Sequence, residues 1–391
     1  MPITLDRLNL DELRATLKVL GLDGWLLYDF KGANPVARRV LGIGGLVTRR
    51  VYVWLPASGA PVALVHRIER HTAAGFPGEV RAYGSWRELE QELSSLLRGR
   101  RVALETSPTG AVPYLDRIPA GAVHMLERMG VVLNGSGVLV SKFASAWSSA
   151  ERQDHQKAAE AIAEIARAAV AETVRRPGQA TEVGVQRGVI SAMERAGLLL
   201  TEPPIVAFGA NAADPHYEPH PDRDVTLAPD SIVLLDLWGR TREETVFADQ
   251  TWMGFAGSQP QADVQRVWTA VRDARDAVLD RLSQWRADAG MTGAMLDDVA
   301  REVITARGYG EAFTHRTGHS IDGELHGSGP NLDNFETNDT RELVTGVGFS
   351  VEPGVYLSGR FGVRSEVNAY LTEDGAHVTP RKPQRDLMLA S

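Results

Sequence analysis

An acid inside an apolar strand is costly, and this chain repeats the arrangement. The stretch SIVLLDLWGRTREETVFADQTWMGF (231–255) reads as two strands. Asp236 interrupts the outgoing one and Asp249 the returning one, thirteen residues later. In GFSVEPGVYLSGRFGVRSEVNAYLTEDG (348–375), Glu352 and Glu366 interrupt a second pair, fourteen residues apart. Strands this apolar are buried on at least one face, and an unpaired ionised carboxylate there costs roughly several kcal/mol. Four converging carboxylates repel and raise one another's pKa. Two divalent cations remove the conflict, balancing four negative charges with four positive, and binuclear hydrolytic sites hold such ions about 3.5–4 Å apart. Taken singly, each acid has an ordinary reading: Asp236 can end a strand, Glu352 can precede a Pro-Gly turn, and Glu243 and Glu244 belong in a solvated hairpin loop. The recurrence turns the reading toward a metal site.

A histidine cluster lies between the two pairs. HRTGHSIDGELHG (315–327) carries His315, His319 and His326. A helix would set His315 and His319 on one face, but Gly318, Ser320 and Gly323 are poor helix formers, and no Glu follows His315 as a zinc-protease helix requires. The segment is therefore expected to be extended or looped, with at most one histidine on metal and the others turned into the cleft toward substrate. A Gly-, Pro- and Asp-rich loop, AFGANAADPHYEPHPD (207–222), brings His216 and His220 just ahead of the Asp236 strand, the kind of loop that carries binding groups.

Length sets the domain count. A chain of 391 residues exceeds one ordinary core. Residues 1–147 alternate strand and helix signals: GWLLYDF, two strands in RRVYVWLPASGAPVALVHR, a helix in SWRELEQELSSLLRGR, a strand in RVALETS. This is an α/β domain, with neither paired acids nor a phosphate loop. Ser148 and Glu151 form a capping-box signature opening a long Ala-rich helix, so a second domain is placed at 148–391. Within it the order long helix, helix after a threonine (Thr181, Thr292), strand pair occurs twice, a duplication by element order alone.

The chain has no cysteine, which excludes disulfides, thiolate catalysis and thiolate metal sites, and an oxygen and nitrogen ligand set favours harder ions. With 42 basic and 50 acidic residues the formal charge is −8, against a nucleic-acid partner. The first residues lack a signal-peptide pattern and no apolar run reaches membrane length, so a cytoplasmic location without membrane partner is expected.

The stretches GANAADPHY, VLLDL, FADQTW, HRTGHS, VEPGVY and GVRSEV, in that order, resemble the pita-bread metallopeptidases: prolidase (Xaa-Pro dipeptidase), aminopeptidase P and methionine aminopeptidase. The resemblance covers roughly residues 148–391, and the front half looks like the creatinase/prolidase-type N-terminal α/β domain, which methionine aminopeptidases lack. It implies an α+β pita-bread catalytic domain with internal pseudo-two-fold symmetry. It implies that Asp236 chelates one ion, Asp249 and Glu366 bridge both, and His319 and Glu352 complete the second. His216 and His326 match substrate histidines, with His220 a competitor for the first, and Arg364 matches an arginine beside the bridging Glu. His315 and Arg316 match positions supporting the ligands or specificity. The Asp236–Asp249 hairpin is two residues longer than the family spacing; an even insertion keeps both acids facing inward. RSEVN also lacks the acid that usually follows the bridging Glu.

The expected activity is metal-assisted hydrolysis of Xaa-Pro bonds, with Xaa-Pro dipeptides first and aminopeptidase P action on longer peptides as the alternative. Glu352 shuttles the proton, and Mn²⁺ fits the ligands best, with Co²⁺ and Zn²⁺ as alternatives. A non-catalytic peptide-binding module on the same fold is the reading from another class; such modules lose ligands, whereas all five positions here are filled. The resemblance also implies a homodimer.

Overall fold

The computed structural model describes residues 2–45 and 47–390. The chain divides into two compact units, one ending at Ala144 and the other beginning at Ser145.

In the first unit six strands form one sheet in the order β4-β3-β2-β1-β5-β6, with β1 Gly24–Asp29, β2 Val51–Pro56, β3 Val62–His66, β4 Glu79–Tyr83, β5 Arg101–Leu104 and β6 Val132–Gly135. β1 is buried throughout and apolar from Trp25 to Leu27 because both its faces are covered. Trp25 and Leu27 join one core cluster and Leu26 and Tyr28 the other, as the two-residue strand period requires. The helix expected in SWRELEQELSSLLRGR is Trp86–Leu97, whose start is capped by Ser85. Just beyond β5 sits Glu105, fully buried. Its Oε1 accepts from Trp25 Nε1 (2.6 Å) and Ser136 Oγ (3.2 Å), and its Oε2 from Asn34 Nδ2 (3.0 Å).

Near the start of the second unit the Trp147 indole donates to Ile321 O. The expected capping box at Ser148 and Glu151 then starts the helix Ser149–Thr173. Thr181 caps Glu182–Arg195, and β7 Ile205–Phe208, β8 Ile232–Gly239 and β9 Ala248–Phe255 form an antiparallel run. The second half repeats this: helix Ala262–Ser283, helix Gly293–Ala306 capped by Thr292, then β10 Ser320–Ile321, β11 Gly348–Val351, β12 Gly354–Leu357, β13 Phe361–Arg364, β14 Val367–Thr372 and β15 Gly375–Thr379. β10-β11-β14 pair as β7-β8-β9 do, with β15 added outside β14 and β16 Met388–Leu389 outside β9. The 346–373 stretch, expected as one strand pair, is two: β11 pairs with β14, and β12–β13 forms a separate hairpin. Pro353 marks the break, since it has no N–H to give a ladder. Glu352 and Glu366 lie at this break.

Each half puts its helices outside its strands. Val233, Leu235 and Leu237 pack with the first helix pair, so β8 turns Asp236 the other way. Phe349, Val351, Val367 and Ala369 cluster with Trp268, Val271 and Leu296 of the second helix pair, leaving Glu352 and Glu366 on the opposite face. The acids of the two halves therefore point toward each other. Among the described residues no helix is long and apolar enough to cross a membrane.

Candidate metal centre

The β8–β9 register sets Asp236 opposite Thr251 and Trp238 opposite Asp249, so both aspartates share one face and the longer hairpin has not rotated either outward. Carried one residue past the Val351–Val367 pair, the second register puts Glu352 opposite Glu366. Hydrogen bonds join the two faces: Asp249 N donates to Asn368 Oδ1 (2.9 Å), and the Thr251 hydroxyl reaches Glu366 Oε2 (2.8 Å) and Asp236 Oδ1 (3.2 Å).

His319 enters from the extended segment that its glycines lead one to expect; only Ser320 and Ile321 are strand there. Its ring Nδ1 lies 3.1 Å from Ser320 O. A carbonyl only accepts, so Nδ1 carries the hydrogen and Nε2 faces the acids, 3.4 Å from Asp249 Oδ2 and 3.5 Å from Glu352 Oε1. Gly318 makes this approach geometrically attainable, because a Cβ there would fall 2.0 Å from Ser350 O on β11. Ser350 Oγ then binds both His319 N (2.9 Å) and Glu352 Oε1 (3.0 Å).

Ligand atoms of Asp249, His319 and Glu366 all lie within 4.8 Å of one another, and all three residues are buried. Glu352 borders this trio through His319. Asp236 is tied to it through Thr251, and its Oδ2 accepts from Arg364 Nη2 at 2.5 Å. The fit to cations rests on two atoms: Asp249 Oδ1 and Glu366 Oε1 are buried with no hydrogen-bond partner. Buried acceptors are rarely left so, and oxygen atoms grouped with one imidazole suit divalent ions.

The electrostatics agree. Burial, opposed by Arg364 and reinforced by Asp249 and Glu352, pushes the Asp236 carboxyl up to about 7. Burial also raises Asp249, although His319 works against it. Burial and the charges of Asp249, Glu352 and Asp236 drive Glu366 well above the carboxylate range. Glu352 differs: burial acts upward, but His319, His315, Arg364 and Arg316 together hold it below its ordinary value. Excess negative charge of this kind is what bound cations relieve.

His326 is exposed but packs edge-on against His319, ring centres 4.3 Å apart; the His319 charge, with partial desolvation, pushes it down to about 3, so its ring is neutral. His216 is exposed on its loop. His220 is not drawn in. It is exposed, and its ring accepts from Asp222 N in its own turn. His315 does not open into the cleft as expected: Nδ1 meets Arg316 O (2.7 Å) and Nε2 meets the Tyr356 hydroxyl (2.8 Å). Arg316 is buried beside Glu336, which accepts from its backbone N–H. Thr251 and Tyr356 are not singled out by the sequence. The strand period that links Asp249 to Thr251 is a signal that could have found the first; the second, which accepts from Arg364 Nη1 (3.3 Å), has no local signal.

The family model of metallopeptidase family M24 matches residues 153–373. An Xaa-Pro dipeptidase from Lactobacillus delbrueckii subsp. lactis is 38% identical over 196 residues, 49% of this chain and 49% of that relative. "Probable dipeptidase PepE" of Mycobacterium bovis is 30% identical over 327 residues, 82% of this chain and 81% of the relative. The crystal structure of dipeptidase PepE from Mycobacterium ulcerans superposes with TM-score 0.77 at 27% identity, covering 98% of this chain and 97% of that one.

Proposed function

Because this chain belongs to metallopeptidase family M24 and has the pita-bread fold, we propose that it hydrolyses Xaa-Pro dipeptides with two divalent ions held by Asp236, Asp249, His319, Glu352 and Glu366. The observation that carries this reading is the pair of partnerless carboxylate oxygens on Asp249 and Glu366, grouped with His319. The likeness to an Xaa-Pro dipeptidase supports the substrate class. Ions bound there, Mn²⁺ by ligand preference, would supply a nucleophile made from water at neutral pH and a Lewis acid for the peptide carbonyl.

The residues divide the remaining work. Glu352, ionised because its cationic neighbours outweigh burial, takes a proton from the attacking water and passes it to the leaving nitrogen. That nitrogen belongs to proline, has no hydrogen in the peptide, and must gain one to depart. His326, neutral in its ring, donates to the developing oxyanion. His216 holds the substrate from the loop side, and Arg364 keeps Asp236 oriented. The resemblance further supports a homodimer.

Purified protein should contain two transition-metal ions per chain by elemental analysis and cleave Ala-Pro faster than Ala-Pro-Ala or Ala-Ala. Cleavage of Ala-Pro-Ala alone would assign aminopeptidase P activity instead, and a metal-loaded sample inert on every Xaa-Pro peptide would leave a binding module.

A further inference from the structure

Among the fully buried acids outside that chemistry, two hold histidine-bearing segments. Glu182 is the first residue of the helix Glu182–Arg195, and Asp297 lies on Gly293–Ala306, the corresponding helix of the second half. Glu182 Oε1 accepts from Phe208 N (2.6 Å) and Asn211 Nδ2 (3.0 Å); its Oε2 accepts from the Tyr217 hydroxyl (2.6 Å) and Asn211 Nδ2 (3.2 Å). All these donors belong to one stretch, 208–217, which carries His216. Together these bonds clamp both ends of the loop.

The loop is also held from the other side. Arg364 Nη1 donates to Pro215 O (3.5 Å), and Gly362 on β13 lies so near that a Cβ would fall 1.8 Å from Ala212 O. Pro215 and Tyr217, the two neighbours of His216, are thus both fixed, while the histidine itself is exposed. Its backbone N–H donates to Asp214 Oδ1 (3.0 Å) within the loop, but Glu182 and Arg364 hold the loop through other residues.

The second half uses the same device. Asp297 accepts from Thr317 N (2.9 Å), Thr317 Oγ (2.6 Å) and Asn334 N (3.0 Å), and pairs with Arg301 (2.9 Å). Arg301 in turn donates to His315 O (2.7 Å). The acids stand at different turns of their helices, but both tie a histidine-bearing segment to the second helix of their half.

We propose that Glu182 is a positioning residue that sets His216 against the substrate, an inference resting on the reading of His216 given above. The test uses the full-length, Mn-loaded protein with Ala-Pro as substrate. Glu182→Ala should lower kcat/KM about 100-fold, the scale of a 1 Å misplacement, with metal content unchanged. Glu182→Gln, which still accepts from Phe208 N and can pair with the Tyr217 hydroxyl, should recover activity to within about tenfold of the wild type. In a His216→Ala background, Glu182→Ala should add less than about threefold, because residues acting as a unit are not additive. Amide hydrogen exchange, measured with and without metal, should quicken in 208–217 in Glu182→Ala. If Glu182→Ala fails to fold, Tyr217→Phe carries the same test. A lowered Tm with unchanged kcat/KM, full additivity with His216→Ala, or unchanged exchange in 208–217 would overturn the proposal. Inactivity of the wild-type protein would sink the peptidase reading, while exchange would still decide whether Glu182 fixes the loop.

Discussion

Two buried carboxyl sites, one in each unit, are satisfied in opposite ways. Glu105 in the first unit is saturated: three side-chain donors, from Trp25, Asn34 and Ser136, serve its two oxygens. Burial pushes it up to about 7, held back by those donors. In the second unit Asp249 and Glu366 are buried too, yet each keeps one oxygen without a partner. A saturated buried acid knits elements together, whereas an unsatisfied group of acids around an imidazole needs cations. Depth of burial does not separate the two; the tally of donors does.

The sharpest break of this comparison is Glu366→Gln, expected to lower kcat/KM for Ala-Pro at least about 10³-fold with loss of metal, while exposed Glu243→Gln leaves both unchanged. Equal effects would remove Glu366 from the centre. Next comes Thr251→Val, which deletes the hydroxyl shared by Asp236, Glu366 and Arg364; metal affinity should fall about 10–100-fold, as for other groups that orient ligands, and unaltered affinity by titration calorimetry would make that hydroxyl incidental. Chelation with EDTA should lower the melting temperature of the second unit by about 5–15 °C, from roughly 3–4 kcal/mol of binding linkage; an unmoved transition would argue against tight binding.

The smallest effect belongs to Glu105. Its folded-state carboxyl lies near 7 against an ordinary 4.5, so the folded unit keeps a proton that the unfolded chain releases. That contribution is whole below about 4.5 and is lost as pH rises through about 7. Glu105→Gln cannot ionise and should flatten the fall in urea midpoint between about pH 5 and 7.5, with metal content untouched. A slope parallel to the wild type would assign the pH dependence to other groups.

Much of this is legible in the sequence. The alternation of VLLDLWG and ADQTWMGF places Asp236 and Asp249 on one face, Ser148, Thr181 and Thr292 announce three helix starts, and glycines exclude a helix around His319. What stays hidden is made by partners far along the chain. RVALE and VLLDL are the same local pattern, an acid closing or breaking an apolar run, and nothing within either says that Glu105 will meet Trp25, 80 residues away, or that Glu366 will meet Thr251, 115 residues away. Recurrence and the histidine cluster, not burial, separate them. Pro353 signals the split of the 346–373 stretch into two pairs, but a Pro-Gly step looks equally like an ordinary turn within one pair. The engagement of His315 with Tyr356 depends on two segments 41 residues apart and has no local mark.

The close pass between Gly318 and β11 has a consequence for how this catalyst can change over generations. A substitution at His319 changes the donor that faces Asp249 and Glu352. At Gly318 any side chain inserts atoms where the Ser350 carbonyl already stands, prying the imidazole from the acids. Drift toward a different metal or substrate must therefore run through the donors themselves, along a path on which that one codon stays frozen.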